Sequence, residues 1–565
     1  MNLLDTIRDS VIGNNETVQG PFGERPVVYA DYTASGRSLS FIEDYIRDVV
    51  LPLYANTHTE SSGTGLQTTR FREDARRIIA DCFGATDEHV VLFTGSGSTG
   101  AIAKLVGVMG LKVASELEDH YHLTQHIDPQ QRPVVFIGPY EHHSNELVWR
   151  ESIADVVTIR EDADGHVDLA HLEQELEAHK HRPRLIGSFS AASNVTGIVT
   201  DTAAVSSLLH RYGAKAFWDF AAAAPYVDID MGSSAESDGY LDAVFVSPHK
   251  LIGGPGTPGL LVARRDLFTN RVPDTPGGGT VAYVNFLEHD YLPDIEHREE
   301  GGTPDIVGSI RCGLVFQLKQ AVGVETIASR EKQFVTRAIE RWSSHENLFV
   351  LGSSEAERLS IVSFVVKDPA GGPSFFLHHN LVVAVLNDLF GIQSRGGCSC
   401  AGPYGHRLLG IDLDRSHEFE REITRGCEGI KPGWVRVNFN YFIDEMTFDY
   451  IVSAVELIAD RGAALLPQYR FEPDSGLWTH RSGRGAPPRS LLDIDYSSGQ
   501  MHYQEHAPGF ETSDLRDYLD EAARILDAAV DDVAGAERPA TNADFEHLRW
   551  FRYPDEGGSG AAGRH

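Results

Sequence analysis

The most informative part of this sequence is VFVSPHKLIGGPGTPG, residues 244–259. A short apolar run typical of a buried strand ends at Ser247, and His249 and Lys250 follow it directly before a glycine-rich turn. Desolvation at a strand end lowers the pKa of a lysine and frees its amine to attack an aldehyde. The neighbouring hydroxyl and imidazole are suited to hold a phosphate group. Taken alone, the pattern also fits a surface lysine that follows a strand.

An acidic residue ends the apolar run that precedes this one along the chain. Asp219 closes KAFWDF (215–220) and is followed by small residues. A carboxylate in this place can pair with a pyridinium nitrogen, although it can equally cap the next helix. In a parallel sheet, Asp219 and Lys250 would both reach the carboxyl edge, where ligands bind.

A Gly/Ser/Thr turn follows another apolar run in FTGSGSTGAI, residues 93–102. Backbone N–H groups at the start of the next helix can cradle a phosphate, with Ser98 and Thr99 as hydroxyl donors. Similar turns also serve as ordinary helix caps.

Two further turns carry groups suited to a flat, polar ring. His142, in IGPYEHHSN (137–145), can lie on such a ring or act as an acid or base, and the adjacent His143 competes for that role. Asn194, in FSAASNVTG (189–197), can hydrogen-bond a ring oxygen, or it can be a plain turn residue.

Short apolar runs alternate with amphipathic helical stretches over about residues 28–311, which predicts a parallel sheet covered on both faces. Six candidate strands are 89–95, 132–139, 184–190, 215–220, 241–247 and 259–265. The periodicity of 314–346 predicts a helical bridge to a second, smaller α/β region.

Together these segments resemble the class-V aminotransferase family of fold-type I enzymes that use pyridoxal 5′-phosphate (PLP), and within it the cysteine desulfurase and selenocysteine lyase branch. The matching segments, in chain order over about residues 28–460, are YADYTASG, FTGSGSTGAI, EHHSN, SNVTG, WDFAAAAP, SPHK, EGGTP and RGGCSC.

The resemblance implies an α/β fold in which a mostly parallel seven-stranded sheet is covered by helices. We expect an N-terminal segment at 1–27 that packs on the small domain, and a large PLP-binding domain at 28–313. A small C-terminal domain at 314–467 would carry the cysteine loop. An acidic extension with a disordered tail would follow at 468–565.

The resemblance also assigns roles to the singled-out residues. Lys250 would form a Schiff base with PLP, Asp219 would pair with the ring nitrogen, His142 would stack on the ring, and Asn194 would contact the ring oxygen. The phosphate would be bound by Ser98, Thr99, Ser247 and His249. Thr303 matches a threonine that reaches the phosphate of the neighbouring subunit, which implies a homodimer with shared sites.

The segment IQSRGGCSCAGPYGH, residues 392–406, decides the implied reaction. Cys400 falls on the position of the family's nucleophile, whose thiolate takes sulfur from a substrate cysteine and leaves alanine. Cys398 falls on a variable position, where a resolving or relay role is plausible. Arg395 and Arg436 match arginines of the site, and Arg436 is the better match to the anchor of the substrate carboxylate.

The pattern departs from the family at several positions. Ala222 stands where a glutamine is usual, and Tyr32, in place of an asparagine, is expected to reshape the substrate pocket. Residues 401–433 contain an insert, and the C-terminal extension has no family counterpart.

The leading hypothesis is a cysteine desulfurase-like enzyme with an amino-acid substrate and a possible sulfur-acceptor protein. The alternatives are a C–S or C–Se lyase, an epimerase or an aminotransferase of the same family, and a non-catalytic PLP-binding or scaffold protein.

The charge of the chain argues against polyanionic partners. With 49 Lys and Arg against 82 Asp and Glu, the formal net charge is −33, so nucleic acid and anionic membranes are poor partners.

The chain has five cysteines, an odd number that is unevenly spread, which argues against a disulfide framework. No second closely spaced ligand pair accompanies Cys398 and Cys400, so no metal site is expected. The N-terminus has no secretory pattern, and we expect a cytoplasmic protein.

Overall fold

A computed structural model of the chain describes residues 2–57, 59–232, 238–483, 489–504, 515–529 and 535–557. Its α-helices are α1 Leu3–Ser10, α2 Ser40–Tyr45, α3 Gly63–Cys82, α4 Gly97–Val108, α5 Ser115–Tyr121, α6 Leu147–Arg150, α7 Leu169–His179, α8 Thr202–Arg211, α9 Ile295–Glu299, α10 Ile306–Val322, α11 Val324–Ser343, α12 His379–Phe390, α13 Gly402–Leu408, α14 Leu413–Thr424, α15 Glu445–Arg461, α16 Leu515–Ala528 and α17 Ala543–Leu548. Within these residues, no helix is long and apolar enough to cross a membrane.

The strands form one large sheet, a smaller sheet and several two-stranded ribbons. They are β1 Thr17–Gly20, β2 Gly23–Pro26, β3 Val28–Tyr29, β4 His89–Thr94, β5 Val134–Ile137, β6 Asp155–Thr158, β7 Leu185–Ser190, β8 Lys215–Asp219, β9 Ala243–Val246, β10 Gly259–Arg264, β11 Val281–Val284, β12 His289–Tyr291, β13 Leu348–Val350, β14 Ile361–Val366, β15 Ile392–Gln393, β16 Arg395–Gly397, β17 Trp434–Asn438, β18 Tyr469–Glu472 and β19 Leu477–His480.

The large sheet has seven strands in the order β4-β10-β9-β8-β7-β5-β6. Strands β6, β5, β7, β8 and β9 run parallel, and β10 pairs antiparallel with both β9 and β4. The predicted mostly parallel seven-stranded sheet is therefore confirmed. The six strands proposed from apolar runs are all present. The seventh, β6, is a partly exposed edge strand whose short DVVT run carries too little apolar pattern to stand out.

Successive residues of the large sheet enter two separate apolar layers. Val91 and Phe93 of β4 pack on one face, whereas Val90 and Leu92 pack on the other. Both faces are buried, which explains why these strands are continuous apolar runs.

The segment predicted as a helical bridge is divided in two. Gly323 adopts φ +85° between α10 and α11, a conformation that favours glycine and ends the first helix. Beyond α11, the four-stranded antiparallel sheet β13-β14-β17-β16 is backed by α12, and α11 contacts its edge strand β13.

The N-terminal segment contacts the elements around this small sheet. The Arg8 Nε donates to the Phe442 carbonyl at 2.8 Å, and the Arg25 Nε donates to the Leu389 carbonyl at 2.8 Å. Strand β3 pairs in parallel with β15. These contacts tie the first part of the chain to its second half.

The described parts of the C-terminal extension pack on the same region. Helix α16 lies against α15, and the Trp550 ring stacks on His378 and His379 at the start of α12. Arg552 forms a buried ion pair with Asp368, with Nε 2.6 Å from Oδ2. The tail predicted to be disordered is residues 555–565. Its first residues are ordered, contrary to the prediction, because Glu556 Oε2 accepts from the Arg549 Nη1 at 2.7 Å, and residues 558–565 lie outside the described residues.

Candidate active site

A cavity of about 230 Å³ opens at the carboxyl edge of the large sheet. It is lined by eleven of the twelve residues that the sequence singled out for the site: Ser98, Thr99, His142, Asn194, Asp219, Ser247, His249, Lys250, Arg395, Cys400 and Arg436. They come from the turns after β4, β5, β7 and β9, from the end of β8, from strands β16 and β17 of the small sheet, and from the turn after β16. The crossover topology brings these separate turns to one edge, as expected for parallel strands.

Lys250 and Asp219 form the charged base of this cavity. Burial lowers the pKa of Lys250 to about 8, against the opposing attraction of the Asp219 carboxylate. About a tenth of such a lysine is neutral at pH 7, far more than of a free lysine. Burial also raises the pKa of Asp219, opposed by the Ala221 backbone N–H, by Lys250 and by Ser98.

The first turn of α4 forms a cradle for an anion. Gly97 adopts φ +55°, and a Cβ there would lie 2.7 Å from the Ser247 Oγ and 3.0 Å from the His249 Cε1. The Ser98 N–H donates to the Ser247 Oγ at 2.9 Å, and the Thr99 and Ser144 hydroxyls lie 2.6 Å apart. The start of α4 therefore lines the cavity, and the positive end of a helix favours an anion there.

The two adjacent histidines have different positions. His142 lines the cavity, and burial lowers its pKa to about 4, assisted by the charges of Lys250, His143 and Arg436. Its ring is therefore neutral at pH 7 and available as a base or a stacking surface. His143 instead holds the cysteine loop: its N–H donates to the Cys400 carbonyl at 2.9 Å, and its Nε2 accepts from the Gly402 N–H at 3.2 Å.

Both arginines are held by one carboxylate that the sequence did not single out. The Arg436 Nη2 lies 2.9 Å from the Asp31 Oδ1, and the Arg395 Nε lies 3.0 Å from the Asp31 Oδ2. Arg436 is buried and also donates to the Asn194 carbonyl, whereas half of the Arg395 side chain is exposed. Asp31 follows β3, far along the chain from both arginines, and no local sequence pattern reveals this contact.

Cys400 lies in a strained turn. The Ala401 N–H donates to the Cys398 carbonyl at 3.1 Å, and the central residues Ser399 and Cys400 adopt φ +51° and +55°. This is a type I′ turn, which glycine and asparagine favour, and each left-handed residue costs roughly 1–2 kcal/mol. The Asn194 Nδ2 donates to the Ser399 carbonyl at 2.8 Å, so contacts with neighbouring turns hold the strained loop against the cavity.

Two residues predicted to matter lie elsewhere. Tyr32 does not line the cavity: its ring packs edge-to-face against Tyr29 and Phe442, and its expected effect on the substrate pocket stays a prediction. Thr303 is exposed, lies outside the cavity and accepts a hydrogen bond from the Asn56 Nδ2 at 3.3 Å. Its predicted role belongs to a neighbouring subunit and stays a prediction. Ala222 lines the cavity and offers no polar side-chain atom there.

The donor set fits PLP. An unpartnered buried acceptor, the Asn194 Oδ1, lies in a residue of the cavity wall. The same cavity is lined by the turn at the start of α4, by a buried carboxylate and by a partly neutral lysine. Among the described residues, no cluster of three or more His, Cys, Asp or Glu side chains could hold a metal ion.

The comparisons with known proteins agree with this arrangement. The family model of the class-V aminotransferases matches residues 28–416. A probable cysteine desulfurase of Halalkalibacterium halodurans is 25% identical over 382 residues, 67% of this chain and 85% of the relative. A cysteine desulfurase of Dickeya dadantii is 26% identical over 399 residues, 70% of this chain and 88% of the relative.

Solved structures show the same fold at lower identity. The cysteine desulfurase of Thermococcus onnurineus superimposes with a TM-score of 0.64 and 22% identity, over 81% of this chain and 99% of that one. The cysteine desulfurase CsdA of Escherichia coli gives 0.60 and 21%, over 81% of this chain and 98% of that one.

Proposed function

Because the chain belongs to the class-V aminotransferase family, we propose that it is a PLP-dependent cysteine desulfurase that converts L-cysteine to L-alanine and takes the sulfur as a persulfide on Cys400. The observation that carries the proposal is the position of Cys400, which lines the same cavity as Lys250 and Asp219. Cys400 is also exposed there, so its thiol can reach a bound substrate.

Different residues of the cavity would bind different parts of the cofactor. Ser98, Thr99, Ser247, His249 and the start of α4 would bind the phosphate. Asp219 would bind the ring nitrogen, Asn194 would bind the ring oxygen, and His142 would lie on the ring. When bound, PLP supplies an aldehyde for the lysine amine and an electron sink for the substrate's α-carbon.

The chain's own groups then bind and process the amino acid. Arg436 and Arg395 offer a positive clamp for its carboxylate, and the Lys250 amine can carry a proton from the α-carbon. The Cys400 thiolate attacks the substrate sulfur and keeps it as a persulfide. The carbon–sulfur bond breaks, and the carbon takes the bonding pair and a proton, which yields alanine.

We propose a homodimer with shared sites as the working assembly. The hairpin of β11 and β12 carries Phe286 and Leu287 at its tip, both almost fully exposed, next to the exposed Tyr283 and Val284. Apolar side chains grouped in this way are typical of a surface that another subunit covers. Such a partner would also give the exposed Thr303 a phosphate to bind.

The proposed function is tested by counting both products. PLP-loaded protein supplied with L-cysteine and a dithiol is expected to form alanine and sulfide in equal amounts, because each sulfur taken by Cys400 leaves one alanine. Amino-acid analysis and a sulfide assay on the same samples measure the ratio. Pyruvate and ammonia in place of alanine would identify a lyase that eliminates sulfide, and no product from a PLP-loaded protein would favour a non-catalytic role.

A pH prediction follows from the charges around Lys250. Uptake of PLP by cofactor-free protein requires the neutral amine, so its rate should rise with pH through a midpoint near 8, the pKa to which burial lowers Lys250. Asp31 raises this pKa, and an Asp31→Asn variant should therefore shift the midpoint to lower pH. Stopped-flow absorbance across pH 6–10 measures the midpoint.

The control for this shift is an exposed aspartate outside the site. Asp414→Asn, on α14, removes the same charge and should leave the midpoint where it is. An Asp31→Asn midpoint equal to that of the unsubstituted protein would contradict the assigned influence of Asp31 on the lysine.

A further inference from the structure

The cysteine turn carries a second thiol that the proposed reaction does not use. Cys398 and Cys400 occupy the first and third positions of the turn closed by the Ala401 N–H. Cys400 is exposed and lines the cavity, whereas Cys398 is half-buried, packs against the core and does not line the cavity. Cys400 therefore faces the cavity, whereas Cys398 lies behind its wall in the same tight turn.

The spacing permits a bond between them. Two links of ~3.8 Å separate their Cα atoms, so the distance is below ~7.6 Å in any conformation and shorter in a folded turn. A disulfide requires Cα atoms ~4.4–6.8 Å apart. The carbonyls of Ser399 and Cys400 are both hydrogen-bonded to neighbouring turns, which holds the backbone while the cysteine side chains rotate.

We propose that Cys398 is the resolving thiol of the Cys400 persulfide, so that each turnover can end in a Cys398–Cys400 disulfide and free hydrosulfide. This inference rests on the proposed function, which supplies the persulfide. It adds a second reacting residue and names the form in which sulfur leaves when no acceptor protein takes it.

The step balances without an oxidant. The Cys398 thiolate attacks the Cys400 Sγ, a bond forms between these two sulfurs, and the bond from the Cys400 Sγ to the terminal sulfur breaks. The terminal sulfur leaves with the electron pair as hydrosulfide, a better leaving group than an alkyl thiolate. An external dithiol then reduces the disulfide to two thiols and is itself oxidised to its own disulfide.

The positions of the two thiols select the inner sulfur as the target. Sulfur is abstracted inside the cavity, so the terminal sulfur of the persulfide points towards it. Cys398 lies outside the cavity, so the inner sulfur is nearer to it than a terminal sulfur held in the cavity. Attack on the inner sulfur leaves the terminal sulfur free to depart into the cavity.

A single turnover without reductant tests the inference. PLP-loaded, reduced protein is mixed anaerobically with one equivalent of L-cysteine, quenched with acid, alkylated and digested with trypsin. Cleavage after Arg395 and Arg407 releases one peptide, residues 396–407, that contains both thiols. We expect this peptide to have lost two hydrogens and to be unalkylated, with one hydrosulfide released per alanine.

Two variants complete the test. In Cys398→Ser, the same peptide should keep the extra sulfur, and hydrosulfide per alanine should fall at least tenfold. Cys427→Ser, which changes another half-buried cysteine outside the turn, should behave as the unsubstituted protein.

Each outcome has one meaning. Alanine formed together with a peptide that retains the extra sulfur in the unsubstituted protein, on either cysteine, overturns the resolving role and leaves the proposed function standing. A failure to form alanine overturns the proposed function and, with it, the source of the persulfide.

Discussion

Replacement of Lys250 by alanine is expected to abolish covalent retention of PLP and to reduce alanine formation by about a thousandfold or more. Burial lowers the pKa of this lysine to about 8 while Asp219 stands beside it as a counter-charge, so its amine is both reactive and positioned. Reduction of the loaded protein with borohydride, followed by peptide mass analysis, should find the cofactor mass at Lys250 in the unsubstituted protein and nowhere in the variant.

The chain offers a matched control for this experiment. Lys319, on α10, is also buried, and burial lowers its pKa to about 8, but it donates to the Val227 carbonyl and lies outside the cavity. A Lys319→Met variant should retain the cofactor in proportion to its folded fraction. Equal loss of cofactor from both variants would mean that burial and a lowered pKa do not by themselves identify the lysine that binds PLP. Covalent loading at another lysine would refute the role of Lys250.

The site residues that the sequence revealed share one physical property. Lys250, Asp219, Asn194 and His142 each follow an apolar run, and the ends of parallel strands must meet at one edge of the sheet. Local sequence patterns could therefore predict which distant residues lie close together, because the topology of the sheet places the strand ends side by side. The same reasoning predicted the sheet itself, whose buried strands are continuous apolar runs.

What the sequence did not reveal depends on contacts between distant parts of the chain. The pairing of Asp31 with two arginines and the packing of Trp550 on His379 join segments that no periodicity connects. The left-handed turn at Ser399 and Cys400 was equally hidden, because its residues lack the glycine that usually indicates such a turn. Tertiary contacts hold this strain, and only the folded chain shows them.

Replacement of Cys400 by alanine is expected to separate cofactor binding from sulfur transfer. The variant should keep PLP on Lys250 and still bind L-cysteine, yet form alanine at least a hundredfold more slowly, because no other thiol lines the cavity within the described residues. Alanine retains the Cβ, so the strain at φ +55° is unchanged, and the backbone contact with His143 does not involve the side chain.

Two measurements on one sample distinguish this result from general damage to the site. Absorbance should show unchanged cofactor loading and a spectral change when L-cysteine is added, while amino-acid analysis shows the loss of alanine. Cys427→Ala, at a half-buried cysteine outside the cavity, should match the unsubstituted protein in both measurements. Because sulfur abstraction needs a nucleophile at the cavity wall, undiminished turnover of L-cysteine by Cys400→Ala would refute transfer through a persulfide and favour the direct elimination chemistry of a C–S lyase.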